Sequence, residues 1–388
     1  MNQRTTGISN EQIAAPVVVL THYLPPYMAS VLKHVRRNVP NLSVLLSIDQ
    51  EPNRQFGNTW SGLDVKVQKS LMLRRPWKHK AGFKEELYVH FPYDTFSQLR
   101  RADPSIVFSY ELGFRSLVSA AYCRLYRRKL ALCVCVSEHT EQGRGAARSM
   151  LRRWLIRQAD AITFNGPSCR RYLTRFPGSE GKLFHFPYAT SDECVYTGPV
   201  ARADEPNTKL LCIGQLTHRK GVMELLESLC EYCSQRSEKS LEITLVGSGP
   251  LQQSLAELSL PPNLSLRLTG HLDYEAMNEE MGRAGVLVFP TKADEWGLVV
   301  NEAMQAGLPV LGSIYAQAAT TLIREGENGW LYDPHERKQL FAKLDQINSL
   351  TAPALLAVRS AAKETVSTIT SATSAEKAVA MFRCMLAG

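Results

Sequence analysis

Apolar positions along the chain fall in short runs closed by glycine or proline, and these runs alternate with stretches of helical period. In the first half, residues 16–20, 42–48, 105–109, 130–136, 161–164 and 182–186 read as strands. Helical patterns lie between them at 28–38, 95–101, 116–128, 148–158 and 168–176, while 50–90 is less regular and reads as surface loops or a short excursion. The polar stretch 189–207, with Gly198-Pro199 and Pro206, predicts a linker. A second alternating unit follows, with strands at 210–213, 241–246, 264–268, 286–289 and 310–311. Its helices are expected at 222–236, 251–258, 274–281, 298–306 and 336–348, and a helical tail from 352 is broken around 367–374. Strand–helix alternation predicts an α/β fold of two doubly wound domains, 1–195 and 203–365, with a cleft at the carboxyl ends of both sheets. Residues 366–388 are expected to close the chain as a helix packing back on the first domain.

Length and composition agree with this plan. A chain of 388 residues, 44% hydrophobic and 21% charged, suits two globular domains with sizeable cores. No apolar run approaches the roughly 18–20 residues of a membrane span, and the polar start at 1–11 does not read as a signal peptide. Nine scattered cysteines fit a reducing cytoplasm; Cys230 and Cys233 have redox spacing but sit in a helical pattern, as structural thiols. Charge divides the chain: residues 1–200 hold 28 Lys and Arg against 15 Asp and Glu, a net of +13, and the remainder nets −5, summing to +8. The basic helix with Arg148, Arg152, Arg153 and Arg157 around Leu151, Trp154 and Leu155 fits an anionic lipid surface or an ordinary amphipathic face. No nucleic-acid recognition motif accompanies the charge.

Candidate chemistry gathers in residues 291–309, TKADEWGLVVNEAMQAGLP, between a buried strand and a further apolar strand. Gly297 opens a helix whose inward face is Leu298, Val299, Ala303 and Ala306, and Gly307 with Pro309 ends it. The first N–H groups of such a helix, unpaired within it, lie at the carboxyl edge of a parallel sheet and offer a seat for an anion such as a diphosphate. Asp294 precedes the helix and Glu302 lies five residues into it; both read either as acceptors for sugar hydroxyls or as a cap and a solvated face. Nothing in their spacing suggests a metal cage, so no metal is expected. Two further strand-to-helix loops face the same cleft. Residues 214–221, GQLTHRKG, offer Gly214 for close backbone approach and Arg219 and Lys220 as cations. Residues 247–250, GSGP, lack the rest of a dinucleotide fingerprint and read as a tight turn.

These blocks, with 268–272 (LTGHL), 294–307 and 326–331 (GENGWL), resemble in order the signatures of family 4 glycosyltransferases, over most of residues 209–345. Weaker similarity lies at 148–188, in Asn165-Gly166 and Pro187-Tyr188-Ala189, and the first 130 residues match only in plan. The resemblance implies a GT-B fold of two facing Rossmann-like domains: an acceptor-binding first and a nucleotide-sugar-binding second. It implies transfer of a hexose-type sugar with retention of configuration, from a nucleoside-diphosphate donor to a saccharide or lipid-linked acceptor. Glu302 would hold the ribose, Asp294 a hexose hydroxyl, the N–H groups of Gly297, Leu298 and Val299 the sugar and diphosphate, and Lys220 the diphosphate. Glu295 occupies a variable slot. Gln215 stands where the family has an arginine, so Arg219 is the substitute cation, and Asp294 is one methylene shorter than the usual glutamate.

His139, after the strand at 130–136, matches a family histidine near the donor sugar and otherwise reads as a surface loop residue. Glu111 is a candidate on the acceptor side or an ordinary loop carboxylate. Lys220, Arg219 and the helix amides would stabilise the leaving diphosphate, and no enzymic base is nominated because the departing phosphate takes the acceptor's proton. The expected setting is cytoplasmic, peripheral on the inner membrane face, in bacterial surface polysaccharide assembly. A nucleotide-sugar epimerase of similar fold and a catalytically silent sugar-nucleotide-binding protein are the rival readings.

Overall fold

Val17–Thr21 (β1) is buried at every position, as a strand covered on both faces requires. The computed structural model describes residues 11–50, 60–196 and 208–387. Around β1 they form a parallel sheet with β2 (Leu42–Leu46), β3 (Asp64–Val67), β6 (Ile106–Tyr110), β7 (Lys129–Val134), β8 (Ala161–Phe164) and β9 (Leu183–His185). Its order is β3-β2-β1-β6-β7-β8-β9, so the winding reverses between β1 and β6. Covering it are α1 (Pro26–Asn38), α2 (Thr95–Ala102), α3 (Phe114–Tyr126), α4 (Ala146–Gln158) and α5 (Pro167–Thr174). Proline in the first turn of α1 and Arg36 and Arg37 in its last suit the unpaired N–H groups and the dipole there.

A second parallel sheet joins β10 (Lys209–Ile213), β11 (Leu241–Val246), β12 (Leu264–Gly270), β13 (Val286–Phe289), β14 (Val310–Ser313) and β15 (Gly329–Tyr332). Its order, β12-β11-β10-β13-β14-β15, reverses between β10 and β13. The helices here are α6 (Val222–Ser234), α7 (Gln252–Ala256), α8 (Tyr274–Arg283), α9 (Val299–Gln305), α10 (Gln317–Leu322), α11 (Arg337–Asn348) and α12 (Ala352–Val366). Asp273 caps α8 by accepting from the Ala276 N–H at 2.9 Å. Each sheet carries a hydrophobic core on both faces, so two facing doubly wound Rossmann-like domains flank a cleft.

Five strands and α-helices among the described residues are not placed by the sequence reading. Residues 50–90, expected as surface loops or a short excursion, include the edge strand β3 and an antiparallel hairpin of β4 (Ser70–Lys78) and β5 (Lys84–Pro92). The hairpin belongs to neither sheet. Strand β15 and helix α10 are short elements that periodicity did not mark. Of the stretch read as a linker, 197–207 lies outside the described residues, while Ser191 reaches back to Ser30 of α1 at 2.9 Å. At the other end, α13 (Ser371–Ala387) packs along α1 and sends Ala375, Val379, Phe382 and Met385 into the first sheet's core.

Candidate functional site

The loops after β10 and β13 leave the second sheet on either side of its reversal, where open α/β sheets bind ligands. They are pressed together at backbone level. Gly221 has φ +68°, and a Cβ there would lie 2.2 Å from the Pro290 carbonyl oxygen. Gly247 presses likewise on Gly214, whose carbonyl oxygen would lie 2.1 Å from a Gly247 Cβ, while a Cβ at Gly214 itself would meet only the Lys220 stem at 3.8 Å. The 247–250 turn is tied to the same cluster, the Leu216 N–H donating to Ser248 O at 3.0 Å and the Leu251 N–H to Leu216 O at 3.1 Å.

This seating joins residues 74 positions apart: Lys220 Nζ donates to Asp294 Oδ2 at 2.5 Å. Arg219 lies 3.8 Å from the same oxygen and donates to the Ala293 carbonyl at 3.1 Å. Burial would raise the Asp294 carboxyl, but Lys220 first, then Arg219 and the Trp296 N–H, outweigh it and hold the group below its ordinary value. Phe289 forms the floor, its ring centroid 5.2 Å from Lys220 Nζ. Gly297, at φ +93°, lies over that ring, and a Cβ would come within 2.5 Å of its edge. Leu298 caps and Val299 begins α9, so the N–H groups of 297–299 stand ahead of the helical ladder. Helix α9 has seven residues, shorter than the apolar run suggested.

Glu302, in the first turn of α9, is half-buried and does not touch the Lys220–Asp294 pair. Its carboxylate has no hydrogen bond or ion pair among the described residues, and burial alone pushes it up to about 7. Its charge reaches Tyr274 and Cys194.

The first domain closes on this rim through polar contacts. His139 Nε2–H donates to the Lys292 carbonyl at 2.9 Å, two residues before Asp294. Its ring stacks on Tyr315 at 4.5 Å, and burial pushes the imidazole below its ordinary value. His139 is thus an interdomain bridge, not a free loop residue. Gln317 of α10 donates to the Glu295 carbonyl at 2.7 Å and to Asn165 Oδ1 at 3.2 Å, and accepts from the Cys169 N–H at 2.8 Å. Tyr188 stacks on Trp296, whose indole N–H is held by Asn301 at 2.9 Å.

Glu111 adopts φ +70° at the end of β6 and pairs with Arg115 at 3.1 Å and His22 at 3.3 Å. Enclosure would raise it; His22, Arg115 and His90 together bring it below its ordinary value. Its charge reaches Glu295, whose carboxyl is raised by enclosure and then by Glu111, Glu141 and Asp294. Sequence reasoning missed Glu85, which the hairpin carries across to Arg219: the guanidinium Nε donates to Glu85 Oε1 at 2.5 Å. Arg219 is therefore shared between two carboxylates. Arg152, read with the exposed basic face of α4, is instead buried and paired with Glu141 and the Tyr172 hydroxyl.

Residues 199–364 match the family described as Glycosyl transferases group 1. Glycogen synthase of Mycobacterium tuberculosis is 25% identical over 162 residues, 41% of this chain and 39% of that protein. Sulfoquinovosyl transferase SQD2 of Arabidopsis thaliana is 28% identical over 144 residues, 36% of this chain and 26% of that protein. The chain thus spans well under two thirds of the curated relatives it matches. Among solved structures, Anabaena HepE in complex with UDP superposes with a TM-score of 0.72 at 15% identity, over 95% of this chain and 100% of that one. Sucrose-phosphate synthase of Thermosynechococcus elongatus gives 0.70 at 16% identity, over 96% and 99%. The fold is of the GT-B type.

Proposed function

We propose that this protein is a retaining glycosyltransferase that moves a hexose-type sugar from a nucleoside-diphosphate donor to a saccharide or lipid-linked acceptor. The observation that carries the reading is the Lys220–Asp294 pair at the reversal of the second sheet, inside the stretch that matches a transferase family. Lys220 meets the diphosphate, with Arg219 beside it and the Gly297, Leu298 and Val299 amides completing the anion site. Asp294 takes a hexose hydroxyl and Glu302 the ribose hydroxyls, for which its unengaged carboxylate is suited. The bond from the anomeric carbon to the phosphate oxygen breaks with its electron pair on the diphosphate, where Lys220 stabilises the growing charge. The acceptor oxygen bonds to the same face of the sugar, and its proton passes to the departing phosphate. His139 positions the 292–294 loop from the first domain. No metal takes part in this scheme, so EDTA should leave turnover unchanged.

On the acceptor side, α3 and α4 together contain no Asp or Glu. They expose Leu117, Leu125, Met150 and Trp154 beside Arg124, Arg148, Arg153 and Arg157. Such a face suits the anionic inner surface of a cell membrane, where a lipid-linked acceptor for polysaccharide assembly would lie. Among the described residues no helix is long and apolar enough to cross a membrane. The deciding experiment is thermal stabilisation by UDP-, GDP- and ADP-sugars, UDP-glucose first, followed by turnover with membrane extract. Lys220→Ala and Glu302→Ala should lose the stabilisation; shifts identical to the parent protein's would overturn the site.

A further inference from the structure

The hairpin rises from the first domain, where Phe91 at its base meets Phe114 of α3 at 5.3 Å, and its turn lies in the cleft. Residues Leu71 to Arg75 of β4 are exposed, Leu71 to 64%, whereas His79 and Phe83 at the turn are buried. Three contacts hold that turn in the cleft. The Arg144 guanidinium lies 3.7 Å from the Trp77 ring centroid, His79 stacks on Phe83 at 4.7 Å and meets His139 at 5.1 Å, and Glu85 binds Arg219. Register places Trp77 opposite Glu85 next to the turn, and β5 meets residues 218–220 of the donor loop.

The charges then decide what Glu85 does. Arg219 and Lys220 supply two positive charges; Asp294 and Glu85 supply two negative, and the sum is zero. The neighbouring Lys292 is matched by Glu224. A diphosphate would meet a cluster already balanced. Asp294 cannot leave, being fixed by its own loop and the Trp296 N–H. Glu85 can, since it belongs to the other domain and to an element outside both sheets.

We propose that Glu85 is an internal competitor for the donor's diphosphate: its carboxylate holds Arg219 until the incoming phosphates displace it and the hairpin turn is released. This rests on the donor site assigned above. Binding of a nucleoside diphosphate and docking of the hairpin turn are linked, so each weakens the other by the same factor.

Binding of UDP, or of whichever of UDP, GDP and ADP the parent protein prefers, is measured by calorimetry for Glu85→Gln, Arg219→Gln and the double variant. Glu85→Gln should tighten binding about five-fold at low salt, less at high salt, because Arg219 then has no charged partner to give up before it meets a phosphate. The gain should vanish in the Arg219→Gln background. The nucleotide should also speed tryptic cleavage after Lys80 and Lys84, which are exposed on the hairpin turn. Unchanged affinity, weaker binding by Glu85→Gln, or slower cleavage would overturn the competition. Parent protein that binds a diphosphate independently of Glu85 sinks this inference alone; parent protein that binds none of the three sinks the donor site as well.

Discussion

The two sheets share one winding plan yet assemble their cleft edges differently. The second sheet uses its own loops: glycine turns let the 214–221 and 290–298 segments touch, and the charged residues follow from backbone seating. The first sheet uses parts brought from elsewhere. His139, Asn165 and the hairpin's Glu85 reach the cleft as side chains that bond to the opposite domain. One edge is preformed by covalent geometry, whereas the other is completed only when the domains meet. Substitutions should therefore hurt the second edge through chemistry and folding, and the first through alignment.

The widest gap is expected between Lys220→Ala and His139→Ala. The first should lower kcat/KM roughly 10³-fold by removing the leaving-group cation, the second about 10-fold by loosening the 292–294 loop. Comparable losses in steady-state kinetics would erase the distinction. Next comes Gly221→Ala, which forces a Cβ onto the Pro290 carbonyl at positive φ and should cost about 3 kcal/mol in urea unfolding. A loss below about 1 kcal/mol would show that the loops can part cheaply.

Glu302 gives a smaller effect with a definite sign. Its carboxyl keeps in the fold a proton that an unfolded chain releases near 4.5, so stability falls as pH rises from there to about 7. Glu302→Gln should be more stable than the parent by about 1 kcal/mol at pH 8 and no different at pH 4. Donor binding by the parent should strengthen as pH rises through about 7, and the variant should lose that dependence. A flat parent profile would place the ribose elsewhere. The mildest change, Gln317→Ala, should leave the melting temperature within a few degrees while raising KM for the donor, since it unties the domains and not the second edge.

What was legible in the sequence follows the same division. Lys220, Asp294 and Gly297 could be read because a strand, a glycine turn and a helix start lie within a few residues of each. Their meeting is then dictated by sheet order. The hairpin gave no such sign: Leu71, Met72 and Leu73 are consecutive and exposed, so β4 has no alternation to betray a strand. Gln317 is a polar residue in a six-residue helix whose partner Asn165 lies 152 positions away, a relation no local pattern encodes. Arg152 looked like its exposed neighbours on α4 because its partners Glu141 and Tyr172 are off the helix.

The final helix bears on how such a cleft can move. The backbone runs from the first sheet to the second between β9 and β10, and returns at 367–370 so that α13 can lie on α1. Two bodies stitched together at two places cannot swivel freely; they tilt about the line through both stitches, like a book on its spine. Trimming the tail would leave a single stitch, and the jaws would lose their common axis before losing any residue that touches substrate.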